Sequence, residues 1–250
     1  MSPASENSTA GSMGDASTAA DAPTPVFRHF HDQLNDLKQR LFEMSERAES
    51  AVETAVDALR RRDAALAETV LEGDAIIDDL ELEVEQLAIS LLALQQPMAR
   101  DLRFLVSVIK ISSDLERVGD HAVNIAQSAL RLADMRSDLP AQPQLDDMAS
   151  RARRMLSDGL DAFVRADGAL GRAVCQADDA VDALNGAVFR VLLTHMMEDP
   201  RTITPAIEFL LVSRNLERVA DLATNIAEDA VFLAEGTQIK HHAERRAARG

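Results

Sequence analysis

The chain has 250 residues, 42 of them Asp or Glu against 26 Lys or Arg, and a formal net charge of −16 at pH 7. That balance excludes the basic face with which a protein holds nucleic-acid phosphates. An apolar content of 46% with no Trp, no Tyr, 10 Gly and 8 Pro, and much Ala and Leu, makes an all-α protein the first expectation. The one cysteine, Cys175, cannot form an internal disulfide, which fits a reducing compartment. No run approaches the ~20 apolar residues of a membrane span. Met1 is not followed by a basic-then-apolar signal pattern. A soluble, cytoplasmic protein with no integral membrane segment is expected.

Residues 1–25 are Ser, Ala, Thr, Gly and Pro without a helical stripe and read as a disordered leader. Helical periodicity then begins. A first helix is predicted from about Val26 to Arg62, with a break at Asp63, and a second from there to Gln96. Pro97 punctuates, and a third runs from about Arg100 to Met135. Arg136 to Gln144 is a linker rich in turn residues. A fourth helix ends near Ala166, Gly168 and Gly171 mark a joint, and a fifth reaches Met197. Pro200 and Pro205 punctuate again before a sixth helix that ends near Gly236. Residues 237–250, with Lys240, Arg245, Arg246 and Arg249, form a basic tail expected to be frayed. The order is three helices (26–136), a linker, and three more (141–236). That pattern is an internal repeat of two antiparallel three-helix bundles.

The repeat carries a motif. DLERVGDHAVNIA, Asp114 to Ala126, returns 101 residues later as NLERVADLATNIA, Asn215 to Ala227, with nine of thirteen positions identical. On a helical wheel Ile111, Leu115, Val118, Ala122, Ile125 and Ala126 occupy one arc of about 100°, the face a bundle buries. Glu116, Asp120 and Asn124 lie together off that arc. Asp74, Asp78, Glu81 and Glu85 form a similar stripe on the second helix. Acids at i, i+4 repel by roughly 0.2–0.5 kcal/mol per pair on an isolated helix.

Among 42 acids a single such pair is uninformative; its placement is not. Asp78 and Glu116 are equidistant from Pro97, and so are Asp74 and Asp120. Asp182 with Glu217, and Asp178 with Asp221, are equidistant from the Asp199–Pro200 bond. In an antiparallel hairpin, residues equidistant from the turn share a height. Each hairpin therefore gathers four carboxylates at one level, roughly 28 Å from its turn. Arg117 and Arg218 bring one charge each against four. Unneutralised, the acids would repel and their pKa values would rise. Divalent or trivalent cations are the natural neutraliser: an all-oxygen donor set suits magnesium, manganese, iron or calcium. The eight candidate ligands are Asp74, Asp78, Glu116, Asp120, Asp178, Asp182, Glu217 and Asp221, with Asn124 and Asn225 placed to add a carbonyl oxygen or hold a ligand. Asn185 and Phe189 replace Glu81 and Glu85 in the second repeat, so that site is expected to bind fewer ions or to bind them less tightly.

Other groups carry little chemistry. His121 has Leu222 as its counterpart and reads as a surface histidine. His29 and His31 fall on different sides of a helix, His241 and His242 fall in the tail, and Cys175 reads as a packed thiol. There is no H-E-x-x-H, P-loop, G-x-G-x-x-G or G-x-S-x-G, and no E-x-x-H of the kind a ferritin-like di-iron oxidase requires.

The two copies of L-E-R-V-[G/A]-D-x-A-x-N-I-A, with EGDAIIDDLELEVE (Glu72 to Glu85) and LLALQQPMARDLRFLVSVIKISSDLERVGD (Leu91 to Asp120), closely resemble the PhoU family over about residues 27–236. The resemblance implies two pseudo-symmetric three-helix bundles. It also implies metal clusters, multinuclear in some members and containing iron, manganese, magnesium or zinc, on the eight acids named above. It implies a non-enzymatic accessory protein of phosphate transport that restrains the high-affinity ABC transporter and holds the associated sensor histidine kinase inactive when phosphate is plentiful. The implied partners are the transporter ATPase subunit, that kinase and a second copy in a homodimer. A metal-independent interaction bundle and a metal-dependent hydrolase are the rival readings.

Overall fold

A computed structural model describes residues 25–135 and 139–239. The expected leader up to residue 24, the tail from Lys240 and the linker residues Arg136 to Asp138 lie outside the described residues. Six long helices fill the described chain: α1 (Pro25–Arg61), α2 (Ala64–Gln95), α3 (Ala99–Ala133), α4 (Gln142–Arg165), α5 (Gly168–Glu198) and α6 (Ile203–Glu235). A single 3-10 turn, Pro200–Thr202, precedes α6.

The breaks have local causes that repeat. Asp63 caps α2, its carboxylate accepting from the N–H groups of Ala65 at 3.0 Å and Leu66 at 3.2 Å. Asp167 caps α5 in the same way through Ala169 and Leu170, both at 3.0 Å. Each cap satisfies helix N–H groups that lack an intrahelical acceptor and contributes about 1 kcal/mol. At the first hairpin tip Gln96 and Ala99 take positive φ on either side of Pro97 and Met98. At the second, Asp199 accepts from the Arg201 N–H at 3.0 Å.

Two expected breaks lie elsewhere. Pro205 sits inside the first turn of α6, where a missing N–H costs nothing. Gly171 is no joint either; it lies buried within the first turns of α5. A Cβ there would stand 2.9 Å from the Ala227 carbonyl oxygen and 3.0 Å from Val231 Cγ2. The chain reverses one turn earlier, at Ala166 (φ 52°) and Asp167.

α2, α3, α6 and α5 lie side by side in that order, and α1 and α4 pack together across their back. The α3 face predicted to be buried is buried, from Ile111 through Ala126. One apolar core runs through both halves, and the Phe104 and Phe163 rings stack across them at 5.2 Å.

The two halves meet along α3 and α6, which run antiparallel. His121 contacts Asn215, Asp114 bonds Asn225, Ser107 and Lys110 both reach Asp229, and Arg131 pairs with Glu208. This register puts Glu116 at the height of Asp221 and Asp120 at the height of Glu217. All four motif acids of α3 and α6 therefore lie near the middle of the molecule.

Two glycines test this packing. Gly171→Ala drives a Cβ into a backbone oxygen that cannot move aside, and is expected to lower unfolding free energy by about 1–2 kcal/mol. Gly73, in the third turn of α2, has nothing within 4 Å of its would-be Cβ, so Gly73→Ala is expected to raise it by about 0.5–1 kcal/mol. Urea unfolding of both variants measures the contrast.

Candidate metal centres

In the first hairpin Asp74 and Glu116 are half-buried, and Asp78 and Asp120 are exposed. The helices approach closely here because α3 carries Gly119: a Cβ on it would stand 3.3 Å from Asp74 Oδ1 and 3.0 Å from Ile77 Cδ1. Burial pushes the Glu116 carboxyl up from 4.5 to about 7, helped by the charges of Asp120, Glu81, Asp78 and Asp74. Asp74 is raised as well, by burial and then by Asp78 and Asp120. Five acids from two helices thus act on one another, the four expected ones and Glu81. Among the described residues none of Asp74, Asp78, Glu116 and Asp120 has an ion-pair partner. Arg117, next to Glu116, turns to Asp114 at 3.3 Å instead.

The second hairpin is built differently. Asp182, Glu217 and Asp221 are half-buried, and Asp178 is fully buried. Glu217 is raised by burial and by Asp221 and Asp182, against the lowering pull of Arg218 and Arg214. Its Oε2 is buried and accepts no hydrogen bond among the described residues. Arg218 pairs with Asp221 at 2.9 Å. The charge of Asp178 acts on Cys175, whose packed thiol is pushed up to about 12 by burial, by Glu228 and by Asp178. Asn185, in the place of Glu81, accepts from the Ser213 hydroxyl at 2.6 Å.

Among the described residues no three His, Cys, Asp or Glu side chains are drawn tightly enough together to cage an ion as they stand. Their chemistry fits a hard cation nonetheless. The donors are all oxygen, the first group lacks a positive partner, and its central acid holds a proton near neutrality where an ion would take its place.

Two sequence expectations change. His121 is no surface histidine. It is half-buried, with its Nδ1 2.9 Å from Asn215 Oδ1 across the α3–α6 seam, and burial lowers its pKa. Asn225 is bonded to Asp114 and so belongs to the seam, while Asn124 is exposed. The seam has its own acids, which sequence reading overlooked. Burial raises Asp114 to about 6 and raises Asp229 too, beside a cleft of about 480 Å³ that Lys110 and Glu228 also line. The repeat held a signal for Asp114, whose place Asn215 takes in the second copy; Asp229 has Ser128 as its counterpart and left none. Cys175 is packed as expected. His31 is exposed; the side chains of His29, His241 and His242 lie outside the described residues.

A family model described as "PhoU domain" matches residues 41–129 and again 145–230, one match on each three-helix half. The chain belongs to the PhoU family. A phosphate-specific transport system accessory protein PhoU homolog of Rhizobium meliloti is 39% identical over 213 residues, 85% of this chain and 90% of that protein. Its Pseudomonas aeruginosa namesake is 36% identical over 216 residues, 86% of this chain and 89% of that protein. The crystal structure of PhoU from Pseudomonas aeruginosa superimposes with a TM-score of 0.80 at 36% identity, covering 83% of this chain and all of that one (100%). The phosphate transport system regulatory protein PhoU from Streptococcus pneumoniae gives 0.78 at 30% identity, covering 84% of this chain and 99% of that one. No helix among the described residues of this PhoU chain is long and apolar enough to cross a membrane.

The raised Glu116 gives the metal-free protein a pH signature. Between its ordinary value of 4.5 and about 7, the folded chain holds a proton that the unfolded chain has released. That part of the stability is therefore present below 4.5 and is lost as pH rises through the folded value. Thermal melts of metal-free Glu116→Gln, taken from about pH 5 to about pH 8, are expected to fall less steeply than wild type. Equal slopes would contradict the shift.

Proposed function

We propose that this chain is a cytoplasmic, non-enzymatic, metal-binding adaptor that negatively regulates phosphate uptake and phosphate-starvation signalling. Its partners in this reading are the ATPase subunit of the phosphate ABC transporter and the phosphate sensor histidine kinase, and it acts as a homodimer. Family membership supports the phosphate role, since close relatives are named accessory proteins of phosphate-specific transport. The observation that carries the metal role is the first acid group, five mutually repelling carboxylates with no positive partner for the four motif acids among the described residues.

Asp74, Asp78, Glu116 and Asp120 would hold the first ion or cluster, and Asp178, Asp182, Glu217 and Asp221 the second. Iron, manganese, magnesium or zinc would supply the positive charge that lets these acids stay ionised together. With their repulsion relieved, the side chains between α2 and α3 hold one arrangement, and a partner meets a fixed, less negative surface.

The test replaces the chromosomal copy with Glu116→Gln/Asp120→Asn. Metal analysis of the purified variant is expected to show loss of the first site's ions with the second site's retained. Cells in high phosphate are expected to lose repression of phosphate uptake. Full repression despite lost metal would favour a metal-independent interaction bundle instead.

A further inference from the structure

Each motif arginine has two places to go. On a helix the residues three before and three after it are equally close. In the first repeat both are acids, Asp114 and Asp120, and Arg117 takes Asp114. Two features favour that choice. Asp114 is the more buried of the two, its side chain only 14% exposed, so its charge is less screened. An acid that precedes its cation along a helix is also the better-oriented partner. In the second repeat the preceding residue is Asn215. It has no charge to offer and is already engaged, with Oδ1 on His121 and Nδ2 donating to the Leu211 carbonyl at 2.8 Å. Arg218 therefore turns the other way, onto Asp221.

We propose that position 114 in the first repeat and position 215 in the second set the cation affinity of each carboxylate group by deciding which way the neighbouring arginine turns. Asp114 draws Arg117 off the first group and leaves its acids for an ion. Asn215 leaves Arg218 on Asp221, where it competes with an ion for the same oxygen, with Arg214 acting on Glu217 beside it. The first site fills at lower metal concentration than the second. Both arginines are about half-exposed, Arg117 at 55% and Arg218 at 48%, so each pairing is weak and easily exchanged. The effect is a graded difference in affinity, not a block. This inference rests on the metal-binding reading given above.

Mn²⁺ binding to full-length protein, followed by the electron paramagnetic resonance of free Mn²⁺, separates the two claims. Glu217→Gln/Asp221→Asn leaves the first site alone, and Glu116→Gln/Asp120→Asn leaves the second. Adding Asp114→Asn to the former is expected to weaken Mn²⁺ binding about fivefold, as Arg117 becomes available to Asp120. Adding Arg218→Gln to the latter is expected to tighten binding about fivefold. Circular dichroism checks that the variants fold; should Asp114→Asn not fold, Arg218→Gln, at an exposed side chain, decides alone. Mn²⁺ binding indifferent to the substitutions, or changes of opposite sign, would overturn this inference and leave the metal reading standing. Absence of Mn²⁺ binding in both single-site proteins would overturn the metal reading and this inference with it.

Discussion

Carboxylates at a helix–helix seam repel, and burying them makes the repulsion harder to screen. The fold holds them there because the apolar arcs of the same helices are packed on all sides. Ile111, Leu115, Val118, Ala122 and Ile125 fix the rotation of α3, and with it the direction in which Glu116 and Asp120 project. Gly119 then lets α2 come close enough for Asp74 to join them. The core thus imposes a charge arrangement that the acids alone would not adopt, and in the proposed reading a cation would relieve it.

The α3–α6 seam ties that arrangement together across the repeat. Its polar pairs differ at its two ends, Lys110 with Asp229 at one and Arg131 with Glu208 at the other, yet both hold the same antiparallel register. Because the seam runs beside the motif acids, substitutions that suit it would, under the proposal above, also tune the sites. Asn215 serves His121 across the seam and, by its neutrality, leaves Arg218 to Asp221. An Asp at position 215, as at its counterpart 114, would face His121 across the seam and offer Arg218 a charged partner there.

Much of this was legible in the sequence because long helices are nearly straight rods of fixed rise. Counting outward from Pro97 and Pro200 was enough to set Asp74 and Asp78 against Glu116 and Asp120 in height, and the 3.6-residue period separated the acid stripe from the buried arc. What escaped depends on contacts between elements distant in sequence. No single-helix pattern reveals that α3 lies antiparallel on α6, so His121 looked like a surface residue and Asn225 like a ligand. Gly171 looked like a hinge because glycine breaks isolated helices, whereas here it admits α6. Pro205 looked like a break because the first turn of a helix tolerates proline without leaving a mark in the sequence.

Anomalous X-ray diffraction from crystals of the full chain soaked in Mn²⁺ would locate the ions themselves. Anomalous peaks are expected between α2 and α3, about 2.0–2.6 Å from carboxylate oxygens of Asp74, Asp78, Glu116 or Asp120, with weaker peaks at the second group. Peaks confined to other surfaces, or carboxylates that stay in place with no ion among them at saturating Mn²⁺, would contradict the metal-binding reading.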